Sequence, residues 1–219
     1  MVEAVLLTCG SARWPGAELV GPVAAVPARP GREQLAEPLA GLDGRRLVVC
    51  GTDADLAAVL LRLLRISSLA VPVGYVPSSA TSAVARLWGL PVAPSAAAEL
   101  ALHGRPDRVP LLRDDAGGVL VGVGVVRPLQ GVAYCDDEIV LRGHASRLKV
   151  APDRELGLVV RVVQRGVLGR RAIRQAAGRA VQLGCVPTDV WRDGVLDRTP
   201  DRWTWYRHTE DWYLIRSPS

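Results

Sequence analysis

Two short stretches decide the fold of this chain: residues 47–56, LVVCGTDADL, and residues 73–82, VGYVPSSATS. Each begins with an apolar run of strand length, passes through a turn of small and polar residues, and leads into a segment with helical periodicity. Turns of this kind hold phosphate groups in α/β domains, because backbone N–H groups at the start of the helix point at the anion. We therefore expect the two turns to form a phosphate site.

The sequence around these stretches alternates between strand and helix patterns. After the first turn, leucines and valines recur at helical spacing, which predicts one buried helix face. This alternation predicts an α/β domain with a mostly parallel sheet over residues 1–125. The predicted strands are 4–8, 46–50 and 69–76, and the predicted helices are 32–42, 56–66, 81–89 and 95–103.

After residue 117 the pattern changes to short β segments. Several alternate with period two, and turns such as Asp136-Asp137 and Arg192-Asp193-Gly194 separate them. Residues 126–219 are therefore predicted to form an antiparallel β-sandwich domain. The segment 119–126 is predicted as one strand, and the basic segment 168–180 is the candidate helix of this half.

The composition is that of a soluble globular protein, with 49% hydrophobic and 22% charged residues. We find no apolar run of the roughly 18 residues that span a bilayer, and no basic segment followed by an apolar stretch at the N-terminus. We therefore expect a cytoplasmic protein. The formal net charge is +5, and residues 126–219 carry the whole excess. That half could face an anionic membrane surface or an acidic partner, and a solvated arginine-rich surface is the alternative.

The cysteines lie far apart, without a CxxC pair or a histidine at ligand spacing. This pattern disfavours a zinc site and a disulfide framework, and we expect buried reduced thiols on strands. Near the C-terminus, aromatic residues alternate with basic ones, a pattern that could stack single-stranded nucleic acid. Core positions on late strands are the favoured interpretation, so we do not expect nucleic acid as a partner. The aromatic residues concerned are Trp203, Trp205, Tyr206, Trp212 and Tyr213.

The order of these motifs resembles the diacylglycerol kinase catalytic-domain family, which includes bacterial lipid kinases and sphingosine kinases. The sequence GTDAD at 51–55 stands where that family has GGDGT, and PSSATSA at 77–83 stands where it has PxGTGND. RDGV at 192–195 corresponds to the family's DGE motif. The order and spacing of the motifs carry the resemblance, since each motif alone is common.

The resemblance implies a site for ATP and Mg²⁺, with a nucleotide or lipid bound in an interdomain cleft. It implies that Asp193 is the general base for a lipid hydroxyl. The alternative for Asp193 is an ordinary Asp-Gly turn between strands, and the alternative for Asp53 is the N-cap of the following helix. Carried over by motif position, the predicted cofactor-binding residues are Gly51, Thr52, Asp53, Ser78, Ser79, Ala80 and Thr81.

Both turns depart from the family pattern at the positions that approach phosphate. Two glycines of GGDGT are replaced by Thr52 and Ala54, and both glycines of GTGND are lost. Without glycine, a Cβ hinders the close approach of backbone N–H groups to phosphate oxygens. Asp55 adds a carboxylate that would repel a triphosphate. The favoured hypothesis is a shortened, non-catalytic binding or interaction protein with degenerate motifs. The alternative is an active ATP- and Mg²⁺-dependent kinase acting on a lipid such as diacylglycerol, and a homodimer through exposed strand edges is a further expectation.

Overall fold

In the computed structural model, which describes residues 3–16, 21–42, 44–165 and 171–217, the chain forms two compact units. The first unit contains Met1–Val109 and Glu210–Ser219, and the second contains Pro110–Thr209. The second unit therefore begins at Pro110, whereas the sequence pattern predicts a boundary at residue 125. The last strand, Arg202–Arg216, belongs to the second unit up to Thr209 and to the first unit from Glu210 onward.

The first unit is an α/β domain built on a parallel sheet. Its strands are β1 (Ala4–Cys9), β2 (Val23–Val26), β3 (Arg46–Gly51) and β4 (Pro72–Pro77). They run in the order β2-β1-β3-β4, all parallel, and the final strand of the chain extends this sheet beside β4, where Leu214 pairs with Val73. The helices are α1 (Arg32–Ala40), α2 (Asp53–Arg65), α3 (Ala83–Trp88) and α4 (Pro94–His103).

The predicted strand and helix alternation of this half is confirmed, with β2 as an additional strand. Helix α2 buries Leu56, Val59, Leu60 and Leu63 completely, as its periodicity predicts. Burying a side chain of this size stabilises the fold by about 1.5–3 kcal/mol, so this one face is a large part of the helix's stability. The helix in turn holds the preceding turn in place.

The second unit is an antiparallel β-sandwich, as predicted. The strands are β5 (Arg105–Asp114), β6 (Val119–Leu120), β7 (Gly124–Val126), β8 (Leu129–Cys135), β9 (Glu138–Ala145), β10 (Arg147–Asp153), β11 (Gly157–Arg165), β12 (Arg171–Gly178), β13 (Ala180–Cys185), β14 (Val190–Arg192), β15 (Val195–Arg198) and β16 (Arg202–Arg216). One sheet has the order β12-β11-β10-β7-β14-β15, and the other pairs β9, β8, β13 and the first part of β16. Trp203 and Trp205 lie in the core between the two sheets, with ring centroids 5.7 Å apart.

The helix predicted over residues 168–180 is wrong. Residues 171–178 form strand β12, which pairs antiparallel with β11 from Arg165↔Arg171 to Leu158↔Gly178; residues 166–170 lie outside the described part of the chain. The continuous pairing provides every second backbone group of the segment with a ladder partner, which outweighs the helix propensity of its alanine, arginine and glutamine residues. The described part of this basic stretch, Arg171–Gly178, is therefore an edge strand.

A glycine in β4 tests how the first unit is packed. An added Cβ at Gly74 would lie 2.8 Å from both the Cβ and the carbonyl oxygen of Ala101 in α4, whereas one at Gly41 would meet nothing within 4 Å. We expect Gly74→Ala to destabilise the protein by about 1–3 kcal/mol, because the helix must move away from the strand. Gly41→Ala is the matched control and is expected to leave stability nearly unchanged. Denaturant unfolding of both variants would measure the difference, and equal stabilities would contradict the packing.

Candidate functional site

The first predicted phosphate turn is closed by its own side chains. Thr52 is the N-cap of α2, and its hydroxyl oxygen accepts the N–H of Asp55 at 3.2 Å. In return, Asp55 Oδ2 accepts the Thr52 N–H at 2.8 Å, which completes a reciprocal capping box. The other oxygen, Oδ1, accepts the N–H of Arg29 at 2.6 Å. The Thr52 amide that a phosphate would need is therefore already bonded.

This geometry corrects two expectations. Asp55 is only 2% exposed and holds backbone N–H groups, so it does not present a free carboxylate toward a triphosphate. The N-cap of α2 is Thr52 rather than Asp53, which is the first residue of the helix. Gly51 is buried, and an added Cβ at this position would lie 2.7 Å from Asp55 Oδ2.

Asp53 joins the first turn to the second. Its Oδ1 lies 2.8 Å from the Tyr75 hydroxyl and 2.5 Å from the Ser82 hydroxyl. Its Oδ2 accepts the N–H of Ala83 at 2.7 Å, and the N–H of Val84 lies 3.4 Å away. The carboxylate therefore occupies the N-terminus of α3, where the helix dipole favours a negative charge.

The second turn is held by further local bonds. Ser82 is the N-cap of α3 and accepts the Ala85 N–H at 3.0 Å, while the Ser78 N–H donates to the Gly51 carbonyl at 2.8 Å. The hydroxyls of Ser79 and Thr81 lie 2.8 Å apart. Residues 78–81 are exposed. The structure thus brings together the two turns that the sequence singled out, and it adds Tyr75 and Ser82, which sequence reasoning missed.

Asp193 lies in the second unit, at the tip of the β14–β15 hairpin. Asp193 and Gly194 have φ values of 47° and 86°, the left-handed conformation that a two-residue hairpin turn requires. The carboxylate is buried and accepts three backbone N–H groups, from Val121 at 3.1 Å, Gly122 at 2.8 Å and Val123 at 3.0 Å. These bonds divide the predicted strand 119–126 into β6 and β7. Asp193 therefore has a structural task whether or not it acts as a base.

A charged network beside this hairpin has no counterpart in the sequence predictions. Arg192 donates through Nη1 to buried Asp114 Oδ2 at 2.7 Å and through Nη2 to Asp197 Oδ1 at 2.6 Å. Asp114 also accepts the Gly118 N–H at 2.9 Å. A Cβ at Gly118 would lie 1.3 Å from Arg192 Nη1, so this position admits only glycine in the observed arrangement. The network holds the Asp193 hairpin against the β5–β6 turn.

The residues at the two turns do not fit a triphosphate. The amides of Thr52, Asp55, Ala83 and Ala85 are bonded to side chains of the chain itself. Asp53 already provides the negative charge at the α3 N-terminus, so a phosphate there would have to displace it against Coulomb repulsion. Within the described ranges, no group of three or more His, Cys, Asp or Glu side chains is placed to hold a metal ion.

The remaining candidate residues have structural roles. Trp203, Trp205 and Trp212 are at most 2% exposed, so the core interpretation of the aromatic pattern is confirmed for them. Cys9 and Cys50 are buried on strands, as predicted, and burial raises the pKa of each thiol to about 12. No helix in the described part of the chain is long and apolar enough to cross a membrane.

The fold of an α/β unit joined to an antiparallel sandwich is similar to that of solved diacylglycerol kinases and of an NAD kinase. A diacylglycerol kinase from Bacillus anthracis str. Sterne superposes with a TM-score of 0.71 at 11% identity, covering 99% of this chain and 97% of that chain. A putative diacylglycerol kinase from the same strain has a TM-score of 0.72 at 12% identity, covering 99% and 98%. An NAD kinase from Archaeoglobus fulgidus, solved in complex with ATP, has a TM-score of 0.57 at 12% identity, covering 97% and 94%.

No protein-family profile and no curated protein matches the sequence. At such low identity, the structural likeness establishes the fold. The predicted resemblance to the diacylglycerol kinases is therefore confirmed at the level of the diacylglycerol kinase-like fold.

The role of Asp53 can be tested with an isosteric change. Asp53→Asn replaces one acceptor oxygen with an NH₂ group that faces N–H and O–H donors. We expect a loss of about 1–3 kcal/mol of stability, because buried donors at the α3 N-terminus lose their partner. Glu37→Gln, on an exposed position of α1, is the control and should have little effect. Unfolding curves for both variants measure this, and an unchanged Asp53→Asn midpoint would contradict the bridging role.

Thiol labelling tests the burial of the cysteines. With a pKa of about 12, Cys9 and Cys50 carry a thiolate in roughly one molecule in ten thousand at pH 8. We expect half-buried Cys185 to react first with a disulfide reagent, whereas Cys9 and Cys50 react only as the protein unfolds. All four cysteines should react in guanidinium chloride. Intact-mass spectrometry follows the reaction, and rapid labelling of Cys9 or Cys50 in the native protein would refute this assignment.

Proposed function

We propose that this chain is a non-catalytic binding or interaction protein that retains the lipid-kinase fold. The observation that carries the proposal is the Asp53 carboxylate, which accepts the Ser82 hydroxyl at 2.5 Å and the Ala83 N–H at 2.7 Å. These donors lie at the turn that the family resemblance assigns to phosphate. A carboxylate from the chain itself takes the place of the ligand.

The chemistry of phosphoryl transfer supports the same proposal. Phosphoryl transfer depends on positioning the nucleotide and on neutralising its charge, with little covalent work left to the protein. Asp193 could act as a base only for a substrate placed beside a bound nucleotide. Its carboxylate is instead engaged by the amides of residues 121–123, and the phosphate turns are closed by side chains. These contacts favour a structural role for the family's catalytic position.

An ATP- and Mg²⁺-dependent kinase acting on a lipid hydroxyl is the second candidate. The observation in its favour is the fold, which is shared with an NAD kinase solved in complex with ATP. In this candidate, Gly51, Thr52, Asp53 and residues 78–81 would contact nucleotide after Asp53 releases the α3 N-terminus.

Thermal unfolding with nucleotide separates the two candidates. A ligand that binds the native state alone raises the melting temperature, by an amount that corresponds to about 2.7 kcal/mol at one hundred times its dissociation constant. We expect no increase with millimolar Mg-ATP or Mg-ADP.

The control is Asp53→Ala, measured with and without nucleotide. A rise in the melting temperature of the native sequence that Asp53→Ala abolishes would place nucleotide at these turns and would favour the kinase candidate. Incorporation of phosphate into diacylglycerol micelles, lost in Asp193→Asn, would overturn the non-catalytic proposal.

A further inference from the structure

A shallow groove lies on the outward face of the sheet that β8, β13 and β16 form in the second unit. Along β13, Val181 and Leu183 are buried in the sandwich core, so Gln182 and Gly184, which alternate with them, face outward. The groove has a volume of about 600 Å³, which is in the usual range for a small-ligand site. We call it the Gly184 groove, and its lining includes Asp115, Tyr134, Gln182, Gly184, Arg202 and Thr204.

The floor of the groove is a glycine that the packing of the sheet does not require. Gly184 pairs with Val132 on β8 and with Arg202 on β16, so it lies within the ladder. A Cβ at Gly184 would meet nothing within 4 Å, and the residue does not adopt a left-handed φ. Glycine inside a strand lowers stability, and it often marks a place where a ligand or another backbone approaches closely. The missing side chain therefore opens the sheet surface without relieving any clash.

A row of polar side chains borders this floor. Gln182 pairs with Tyr134 on one side and with Thr204 on the other, so the three residues cross adjacent strands on the same face. Tyr134 is 40% exposed. Within the part of the chain that the structure describes, these three side chains form no hydrogen bond with another residue. Their hydroxyl and amide groups are available to a ligand.

The charged residues of the groove balance each other. Arg202 is exposed at the end of the Gly184 row. Asp115 is exposed beside Thr204, because its N–H lies within 3.4 Å of the Thr204 carbonyl oxygen. With one acid and one base, the lining carries no formal net charge. A strongly anionic or cationic ligand therefore gains little electrostatic attraction here.

We propose that the Gly184 groove binds a small neutral saccharide. Sugar hydroxyls both donate and accept hydrogen bonds, and so do the amide of Gln182 and the hydroxyls of Tyr134 and Thr204. The apolar C–H face of a sugar ring packs against an exposed aromatic ring such as that of Tyr134. Gly184 lets such a ring approach the backbone. The groove does not include the turns at residues 51–55 and 77–83, so this proposal goes beyond the proposed function and is independent of it.

The same lining disfavours apolar and highly charged ligands. An apolar ligand would remove the hydroxyl and amide groups from water without replacing their hydrogen bonds, which is unfavourable. A nucleotide would place phosphate charge near Asp115. A neutral molecule with many hydroxyl groups avoids both costs.

A protein-detected NMR titration tests the proposal on the full chain. The probes are glucose, galactose, mannose, N-acetylglucosamine and maltose, with glutamine as a zwitterion of similar size. We expect at least one saccharide to shift the amide resonances of residues 182–184 saturably, with a millimolar dissociation constant, because a small ligand in an open groove gains modest affinity. No saturable shift with any saccharide would overturn the proposal.

A filled groove provides the decisive variant. Gly184→Leu should lower the affinity at least about tenfold, because the new side chain occupies the space of the ligand. Gly41→Leu is the matched control, since a Cβ there also meets nothing within 4 Å, and it should bind as the native sequence does. Gln182→Ala, a smaller change, should weaken binding several-fold by removing a hydrogen-bonding partner. Circular dichroism of each variant verifies folding.

Two outcomes with these variants and probes would overturn the proposal. Saccharide binding that is unchanged in both Gly184→Leu and Gln182→Ala would place the ligand elsewhere on the chain. Saturable shifts at the Gly184 groove with glutamine, and with no saccharide, would identify an amino acid as the ligand class.

Discussion

The carboxylate of Asp53 connects two strand-to-helix turns that are separate in the sequence, and the arrangement of the candidate site depends on it. One oxygen lies within hydrogen-bond distance of the Tyr75 and Ser82 hydroxyls, and the other accepts the Ala83 N–H. The interaction satisfies donors at the start of α3 and places a negative charge where the helix dipole favours one. A turn with these properties ordinarily attracts an external anion. In this chain the Asp53 carboxylate provides the anion, and it accepts the Ser82 hydroxyl and the Ala83 N–H.

The second unit uses a buried carboxylate in the same way. Asp193 accepts the N–H groups of residues 121–123. These residues lie between β6 and β7, which the sequence pattern predicts as a single strand over residues 119–126. The adjacent Arg192 bonds to Asp114 and Asp197 and fastens the hairpin from the other side. Breaking one member of such a network would leave a buried charge without its partner, which is strongly destabilising. Selection for folding alone is therefore sufficient to retain these residues, and their presence is weak support for catalysis.

Local patterns predicted most of the fold. Helix α2 followed from the spacing of its leucines, and the antiparallel sandwich followed from short alternating strands between turn residues. The prediction failed over 168–180, where alanine, arginine and glutamine favour a helix but pairing with β11 produces a strand. The roles of Thr52 and Asp55 could have been predicted from the sequence, because a threonine followed three residues later by an acid before an apolar run is a capping-box pattern. The pairing of Arg192 with Asp114 could not be predicted, because these residues lie 78 positions apart in the chain and strand register depends on the whole sheet.

By itself, the sequence determined the class of fold, the position of the two turns, and which turn positions that the family resemblance assigns to phosphate carry residues other than glycine. Periodicity, turn residues and glycine content depend on only a few neighbouring residues, so they can be identified from the sequence alone. Only the tertiary structure decided what the polar residues of those turns bind. Tyr75, Ser82 and Ala83 are 22, 29 and 30 residues from Asp53 along the chain. A carboxylate binds whichever donors the packed strands and helices bring to it, and no local pattern specifies contacts at that distance.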